Sequence, residues 1–163
     1  MKKNTLVAVL FALAHFSLYS QSTASHTVRI IAHPILELKF DESLNNTEFY
    51  FSTLSDYDNG ITNLQAAGLK VRSNRDWLVN VKANSQTFNS ESLGESEIKS
   101  SVLKVRKTGS NTEIPVDIFD QVIATGSNGG FDKNRFSLDY IANPGYILPD
   151  NYSIELTYTL TSP

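Results

Sequence analysis

The residues best suited to bind a metal ion lie in the segment Asp56-Tyr57-Asp58-Asn59-Gly60. Carboxylate and amide oxygens are the ligands that Ca²⁺ prefers, and a glycine permits a sharp turn. The segment departs from the EF-hand template, in which glycine comes sixth and a glutamate closes the loop. It therefore predicts either a calcium site on Asp56 and Asp58 or an ordinary turn stabilised by Asp and Asn side chains.

Residues for nucleophilic catalysis are sparse in this chain. It contains no cysteine and no Gly-x-Ser-x-Gly motif, and beyond the N-terminal region its histidines are His26 and His33. Seven residues apart on one regular strand, these two side chains would project to opposite faces. Aspartates and glutamates are frequent, but sequence spacing does not set the separation of a carboxylate pair across a cleft. We therefore expect no enzymatic activity and no cofactor.

Aromatic side chains offer a second kind of binding chemistry. Tyr50, Tyr57 and Tyr146 lie near predicted loops, where a tyrosine ring could stack on a sugar. Tyrosines that pack within a β-sandwich are the alternative. The longest irregular segments, residues 84–96 and 126–134, are the expected positions of any partner site.

The N-terminal residues have the pattern of a secretory signal peptide. Lys2 and Lys3 precede an apolar run over residues 6–16, which is too short to span a bilayer, and small polar residues follow it. We predict a bacterial signal peptide over residues 1–20, with cleavage after Ser20 or after Ala24, and a single mature domain over residues 21–163. The protein is then expected outside the cytoplasm, at the cell surface, in the periplasm or in the medium.

Charge and cysteine content restrict the partners and the means of stabilisation. Loss of the two signal lysines changes the net charge from −3 to −5. An acidic chain without a basic cluster argues against nucleic acid and anionic membranes as partners. Without cysteine, no disulfide holds the exported fold, so its apolar core must stabilise it alone.

The apolar pattern predicts β-strands throughout the mature chain. From Tyr152 to Leu160 every second residue is apolar, and Trp77, Val79 and Val81 repeat this period of two. Together with the turn at residues 73–76, the second run predicts a hairpin over residues 68–83, and residues 55–63 read as a loop. No convincing helix appears. Further strands are predicted at residues 27–33, 35–40, 48–53, 98–106, 114–125 and 136–140.

This pattern predicts an all-β fold, an immunoglobulin-like antiparallel sandwich of two sheets and about eight or nine strands. The strand that ends at Leu160 is expected to complete this sandwich within one chain. Any exchange of strands between copies is therefore assigned to the N-terminal strand.

Two segments resemble parts of known exported proteins. Residues 68–81 and residues 150–160 are similar to the central hairpin and closing strand of spore-coat-U-like proteins, archaic pilin subunits and WxL-type surface proteins. The Ser20-Gln21 junction resembles signal sites common in Bacteroidetes. The resemblance covers about a fifth of the mature chain and implies an immunoglobulin-like sandwich with a structural or adhesive role. The chain departs from it in lacking the pilin disulfide and the Trp-x-Leu signature.

We therefore expect a secreted, non-enzymatic structural or adhesive subunit that binds other protein subunits, copies of itself or surface glycans. Its N-terminal strand would leave its own sheet and complete that of a neighbour, with Val28, Ile30 and Ala32 as the contacting residues. The alternative is a small carbohydrate- or calcium-binding module.

Overall fold

The computed structural model describes residues 21–163, so the predicted signal peptide lies outside the described residues. The chain divides into two units, Met1–Ala32 and His33–Pro163. In the described part of the first unit, residues 21–32 form no helix or strand, and their side chains are exposed. No helix within residues 21–163 is long and apolar enough to cross a membrane.

The second unit contains eleven strands, a six-residue helix and a short 3₁₀ turn at Ser100–Val102. The helix, α1, spans Leu54–Asn59. The strands are β1 Leu36–Asn45, β2 Ile61–Ser73, β3 Trp77–Ala83, β4 Thr87–Ser90, β5 Gly94–Lys99, β6 Leu103–Lys107, β7 Ile114–Pro115, β8 Gln121–Gly126, β9 Arg135–Ala142, β10 Tyr152–Ser153 and β11 Leu156–Thr161.

All strand pairs are antiparallel, which confirms the all-β prediction. The strands form three sheets rather than the expected two, and they exceed the eight or nine expected. The large sheet has the order β1-β2-β9-β6-β7, the small sheet β11-β3-β8, and the ribbon sheet β10-β4-β5. β4 and the first residues of β5 lie in the Ser- and Asn-rich segment that was predicted to be a loop, where the hydrophobic alternation is weak, whereas β10 lies in the predicted closing strand.

One apolar core contains residues of both the large and the small sheet. Trp77 of β3 stacks on Phe136 of β9 with ring centroids 6.1 Å apart, and its indole Nε1 donates to the carbonyl oxygen of Ser127 at 2.9 Å. A Cβ at Gly126 would overlap the Trp77 ring, so the neighbouring strand can approach closely only without a side chain. The predicted buried face of β3 is confirmed: Trp77, Val79, Val81 and Ala83 are all buried.

The predicted hairpin over residues 68–83 is wrong, although its two strands and its turn exist. β2 pairs with β1 and β9, whereas β3 pairs with β8 and β11, so the chain crosses from the large sheet to the small sheet between them. Alternation identifies the buried face of each strand, but it does not identify the neighbour that receives the backbone hydrogen bonds.

Two predicted strands are absent. Residues 27–33 and residues 48–53 adopt no strand, although both are rich in β-branched or aromatic side chains. The preference of these residue types for strands reflects packing on a paired sheet surface, and a segment without a neighbouring strand cannot form the backbone hydrogen bonds of a sheet.

The predicted closing strand is interrupted. It is divided into β10 and β11, and all six residues of β11 are half-buried rather than alternately buried and exposed.

A buried carboxylate supports the large sheet where β2 bulges between Asn63 and Ala67. Asp139 of β9 is 1 % exposed. It accepts hydrogen bonds from the Gln65 amide at 3.0 Å, the Thr108 hydroxyl at 2.6 Å and the Arg106 guanidinium at 2.9 Å. Burial opposes ionisation, but these donors outweigh it, and the pKa of Asp139 is lowered. The carboxylate thereby provides a hydrogen-bond acceptor for the backbone amide of Gln65, whose φ of 51° is unusual for a residue other than glycine.

Replacing Asp139 by alanine is expected to destabilise the protein by about 2–3 kcal/mol, because the amide and the guanidinium lose a buried charged partner. Urea unfolding followed by tryptophan fluorescence measures this change. Glu113→Ala is the matched control, since Glu113 is the other acidic partner of Arg106, 3.8 Å away, and lies at the surface. We expect that variant to lose less than about 0.5 kcal/mol.

The same network gives a pH dependence. Because the folded-state pKa of Asp139 is lowered, its contribution is present above the ordinary carboxyl pKa and is lost as the pH falls below it. Asp139→Ala should therefore show a weaker loss of stability in acid than the wild type. Equal losses in the Asp139 and Glu113 variants would contradict this role.

Candidate functional site

The predicted calcium segment forms helix α1 instead of a loop. The Thr53 hydroxyl accepts the Asp56 amide at 3.3 Å, and the Asp56 carboxylate accepts the Thr53 and Ser52 amides at 2.7 and 3.0 Å. These reciprocal bonds form a capping box, and the backbone donors lower the pKa of Asp56. The sequence signal was an acidic residue three positions after a threonine.

Gly60 caps the C-terminus of the helix, with a φ of 74°. A Cβ there would lie 2.6 Å from the carbonyl oxygen of Ala142, so both the conformation and the close approach favour glycine. This glycine therefore stops the helix and lets β2 begin beside β9.

The second predicted calcium ligand, Asp58, accepts a hydrogen bond from the Tyr146 hydroxyl at 2.8 Å. Asp56 and Asp58 are therefore engaged in different interactions, one in the helix cap and one with a tyrosine. Within residues 21–163, no three His, Cys, Asp or Glu side chains converge as metal ligands would. The calcium site stays a prediction.

Two of the three tyrosines predicted for sugar stacking lie together. The ring of Tyr146 is stacked on that of Tyr57, with centroids 5.5 Å apart and planes 14° apart, and Phe51 packs against Tyr57 at 5.5 Å. Tyr146 is nevertheless 71 % exposed. Its hydrogen bond to Asp58 fixes the ring in place and raises its pKa. This arrangement, which we call the tyrosine stack, presents a rigid aromatic surface to solvent.

A large groove lies beside the tyrosine stack. Its volume is about 1320 Å³, and Ala67, Leu103, Tyr140 and Ala142 of the large sheet contribute to its lining. We call it the aromatic groove, because nine of its lining residues are aromatic. These are Phe40, Phe49, Tyr50, Phe51, Tyr57, Phe88, Tyr140, Tyr152 and Tyr158.

Two tyrosines join the groove to the core. The hydroxyl groups of Tyr140 and Tyr158 are 2.8 Å apart, and burial raises the pKa of both. Phe40 packs edge-on against Tyr158 with centroids 5.7 Å apart, yet it is 55 % exposed. Tyr50 is 73 % exposed, and its hydroxyl donates to Glu48, which raises the tyrosine pKa. Exposed rings on this surface are thus held by buried or charged neighbours.

The charged residues that line the groove are all acidic. Asp41 is neutralised locally, since Lys70 and Arg135 lie 3.0 and 3.2 Å away, and its pKa falls to about 2, chiefly through the Lys70 hydrogen bond. The remaining four carboxylates have no ion pair within the described residues. They are Glu42, Glu48, Asp150 and Glu155.

Asp150 fastens one wall of the groove. Its carboxylate accepts the Ser90 hydroxyl, the Ser92 hydroxyl at 3.0 Å and the Ser92 and Asn151 amides at 3.2 and 2.8 Å. The Ser90 bond is the largest cause of a pKa lowered to about 2. Asp150 therefore ties the loop before β10 to the β4–β5 turn. Sequence reasoning missed this residue, although Pro149-Asp150-Asn151 is a typical turn sequence.

The predicted assembly residues Val28, Ile30 and Ala32 are exposed, and they lie outside the strands. Of the two predicted partner loops, the one over residues 126–134 remains irregular after Gly126, which is the last residue of β8. Phe131 in this loop lies under the Arg72 guanidinium at 4.2 Å from the ring centroid, a cation–π contact.

No protein-family model matches the sequence, and the search of curated proteins finds no match to it. The fold and the groove geometry are therefore the observations from which a function can be argued.

Replacing Asp150 by asparagine is expected to loosen this wall, because the neutral side chain accepts the serine and amide donors more weakly. Hydrogen exchange of the Ser92 and Asn151 amides should become severalfold faster. Glu155→Gln is the control, since Glu155 accepts from the Asn84 side chain at 2.7 Å and holds neither amide.

In the wild-type protein the same amides should lose protection as the pH falls from about 4 towards 2, because the pKa of Asp150 is lowered from 3.8 to about 2. Unchanged exchange in Asp150→Asn would show that the wall is held by other contacts.

Proposed function

We propose that this chain is an exported, non-enzymatic structural or adhesive subunit of the bacterial cell surface or periplasm, and that it assembles through residues 26–32. The scaffold in this proposal is an immunoglobulin-like sandwich whose two layers are the large and small sheets, with the ribbon sheet as an addition at its side.

The shared core supports the two-layer scaffold. Trp77 and Phe136 stack across the two sheets, and the Tyr140–Tyr158 hydroxyl pair joins β9 to β11. Facing inner surfaces that pack their side chains together are the property that defines a sandwich.

The carboxylates support the non-enzymatic part of the proposal. A general acid at neutral pH needs a raised carboxyl pKa. The carboxyl pKa values that are shifted among the described residues are instead lowered, because the carboxylates accept hydrogen bonds from structural partners. Asp139 binds the β2 bulge, Asp56 caps α1, and Asp150 fastens the groove wall. These groups are ionised and committed to holding the backbone.

The observation that carries the assembly proposal is the N-terminal segment. Val28 is 74 % exposed and Ile30 is 90 % exposed, in a segment without helix or strand. Their spacing would place both side chains on one face if the segment became extended. A β-prone segment with unpaired backbone groups can add to the sheet edge of another chain, with main-chain bonds supplying affinity and alternate side chains supplying specificity.

Deleting residues 21–32 from the mature protein is expected to abolish assembly and leave the remainder soluble. Light scattering coupled to size-exclusion chromatography measures the mass of both forms. A deletion variant that still polymerises would overturn the proposal.

Two double variants test whether assembly requires the alternating apolar side chains of this segment or only the presence of the segment. Val28→Asp with Ile30→Asp should abolish assembly, since both changes fall on the inserted face. Thr27→Asp with Ile31→Asp introduces the same number of charges in the other phase of the alternation, and we expect it to assemble. Equal loss in the two pairs would show that charge, rather than strand pairing, disrupts the contact.

A further inference from the structure

We infer that the aromatic groove and the tyrosine stack bind a glycan chain that carries no acidic groups. The inference rests on the adhesive role proposed above and supplies its ligand class and its site. Three properties of the described residues support it: exposed rings held in fixed positions, one sign of charge, and size.

The first property is the presentation of aromatic faces. Tyr50, Tyr146 and Phe40 are more than half exposed, although large apolar rings usually gain stability by burial. Each is nevertheless held by a defined partner: Glu48, the Tyr57 ring with Asp58, and the Tyr158 ring. A pre-positioned ring loses little freedom when a ligand stacks on it. The C–H faces of sugar rings are well suited to such flat surfaces.

The second property is charge. The lining contains acidic side chains and no lysine or arginine. Carboxylates accept hydrogen bonds readily, so Glu42, Glu48 and Glu155 can receive hydroxyl or ammonium donors. A uronate or a sulfated sugar would meet like charge in a groove with no basic lining residue. The chemistry therefore favours neutral glycans or glycans that bear amino groups.

The third property is size and polarity. A volume of about 1320 Å³ exceeds the roughly 300–1000 Å³ of most small-molecule pockets, so several linked units fit better than one small ligand. Asn151, Ser153 and Thr47 contribute further polar groups to the lining. An apolar peptide is the competing occupant, but its side chains would not use these hydroxyl, amide and carboxylate groups.

The test is isothermal titration of the mature protein with three hexasaccharides: a neutral β-1,4-glucan, a fully deacetylated chitosan and a galacturonan. We expect the glucan, the chitosan or both to bind, and the galacturonan not to bind. Binding of chitosan alone would identify the amino group as the recognised feature, whereas binding of both would identify the neutral ring.

Tyr146→Ala and Tyr50→Ala should each weaken binding about tenfold, through loss of one stacked ring. Phe119→Ala is the matched control, because Phe119 is an aromatic residue that is 69 % exposed and belongs neither to the groove lining nor to the tyrosine stack. We expect that variant to bind as the wild type does. Circular dichroism of each variant confirms that the fold is retained.

Galacturonan binding, no binding of any hexasaccharide, or binding unaffected by both tyrosine changes would each overturn the inference. If a peptide of alternating valine and threonine bound in a Tyr50-dependent manner while the sugars did not, the groove would be a peptide site. The Val28 and Ile30 double variant distinguishes the two proposals. Glycan binding that survives in this variant would be independent of assembly. If the wild-type protein assembled normally but bound no glycan, the glycan inference alone would be overturned.

Discussion

The packing of the large sheet against the small sheet around Trp77 is the interaction on which the rest of this structure depends. No disulfide reinforces it, because the chain contains no cysteine. Trp77 stacks on Phe136, donates to the Ser127 carbonyl and fills the space that Gly126 leaves open. Each contact joins segments that are far apart in sequence. Protein interiors are packed as densely as organic crystals, so the size of the Trp77 side chain helps to set the distance between the two sheets.

Both sheets also contribute residues to the groove. The large sheet contributes Ala67, Leu103 and Ala142 to the groove lining, and irregular segments form much of the remainder. Residues 48–53 carry the aromatic side chains Phe49, Tyr50 and Phe51 but form no strand, and residues 143–151 form a loop. Loops held by a rigid scaffold are where binding residues concentrate. The groove thus combines a floor from the sheet with walls that Asp150 and Glu48 hold by hydrogen bonds. The adjoining tyrosine stack is held by Asp58.

Sequence periodicity predicted those elements whose alternation coincides with a paired, half-buried strand. β3 and β9 are of this kind, and the buried face of β3 was correct at each of its four apolar positions. Residues 48–53 carry a similar pattern without forming a strand, because pairing depends on a neighbour that the pattern does not specify. The same limit explains the wrong hairpin.

The sequence indicated which residue types could form the site, but it did not indicate how they are arranged in space. Tyr57 and Tyr146 were both recognised as exposed aromatic candidates, yet their stacking depends on α1 and on the loop after β9. Helix α1 was missed because six residues are too few for a visible helical period, and its capping box was the sole local signal. Asp139 gave no signal, since an aspartate between Leu138 and Tyr140 is expected on an exposed strand face.

Two groups of carboxylates in this chain make different demands on stability. Asp41 and Asp139 face arginine or lysine, so the fold gains from their ionisation. Glu42, Glu48 and Glu155 lie around one groove without ion pairs within the described residues, so no basic side chain offsets their charge. Exposed rings in the same groove also forgo burial. Features that lower stability are expected on a surface that serves a function. For this reason the groove is the surface to which we assign a ligand.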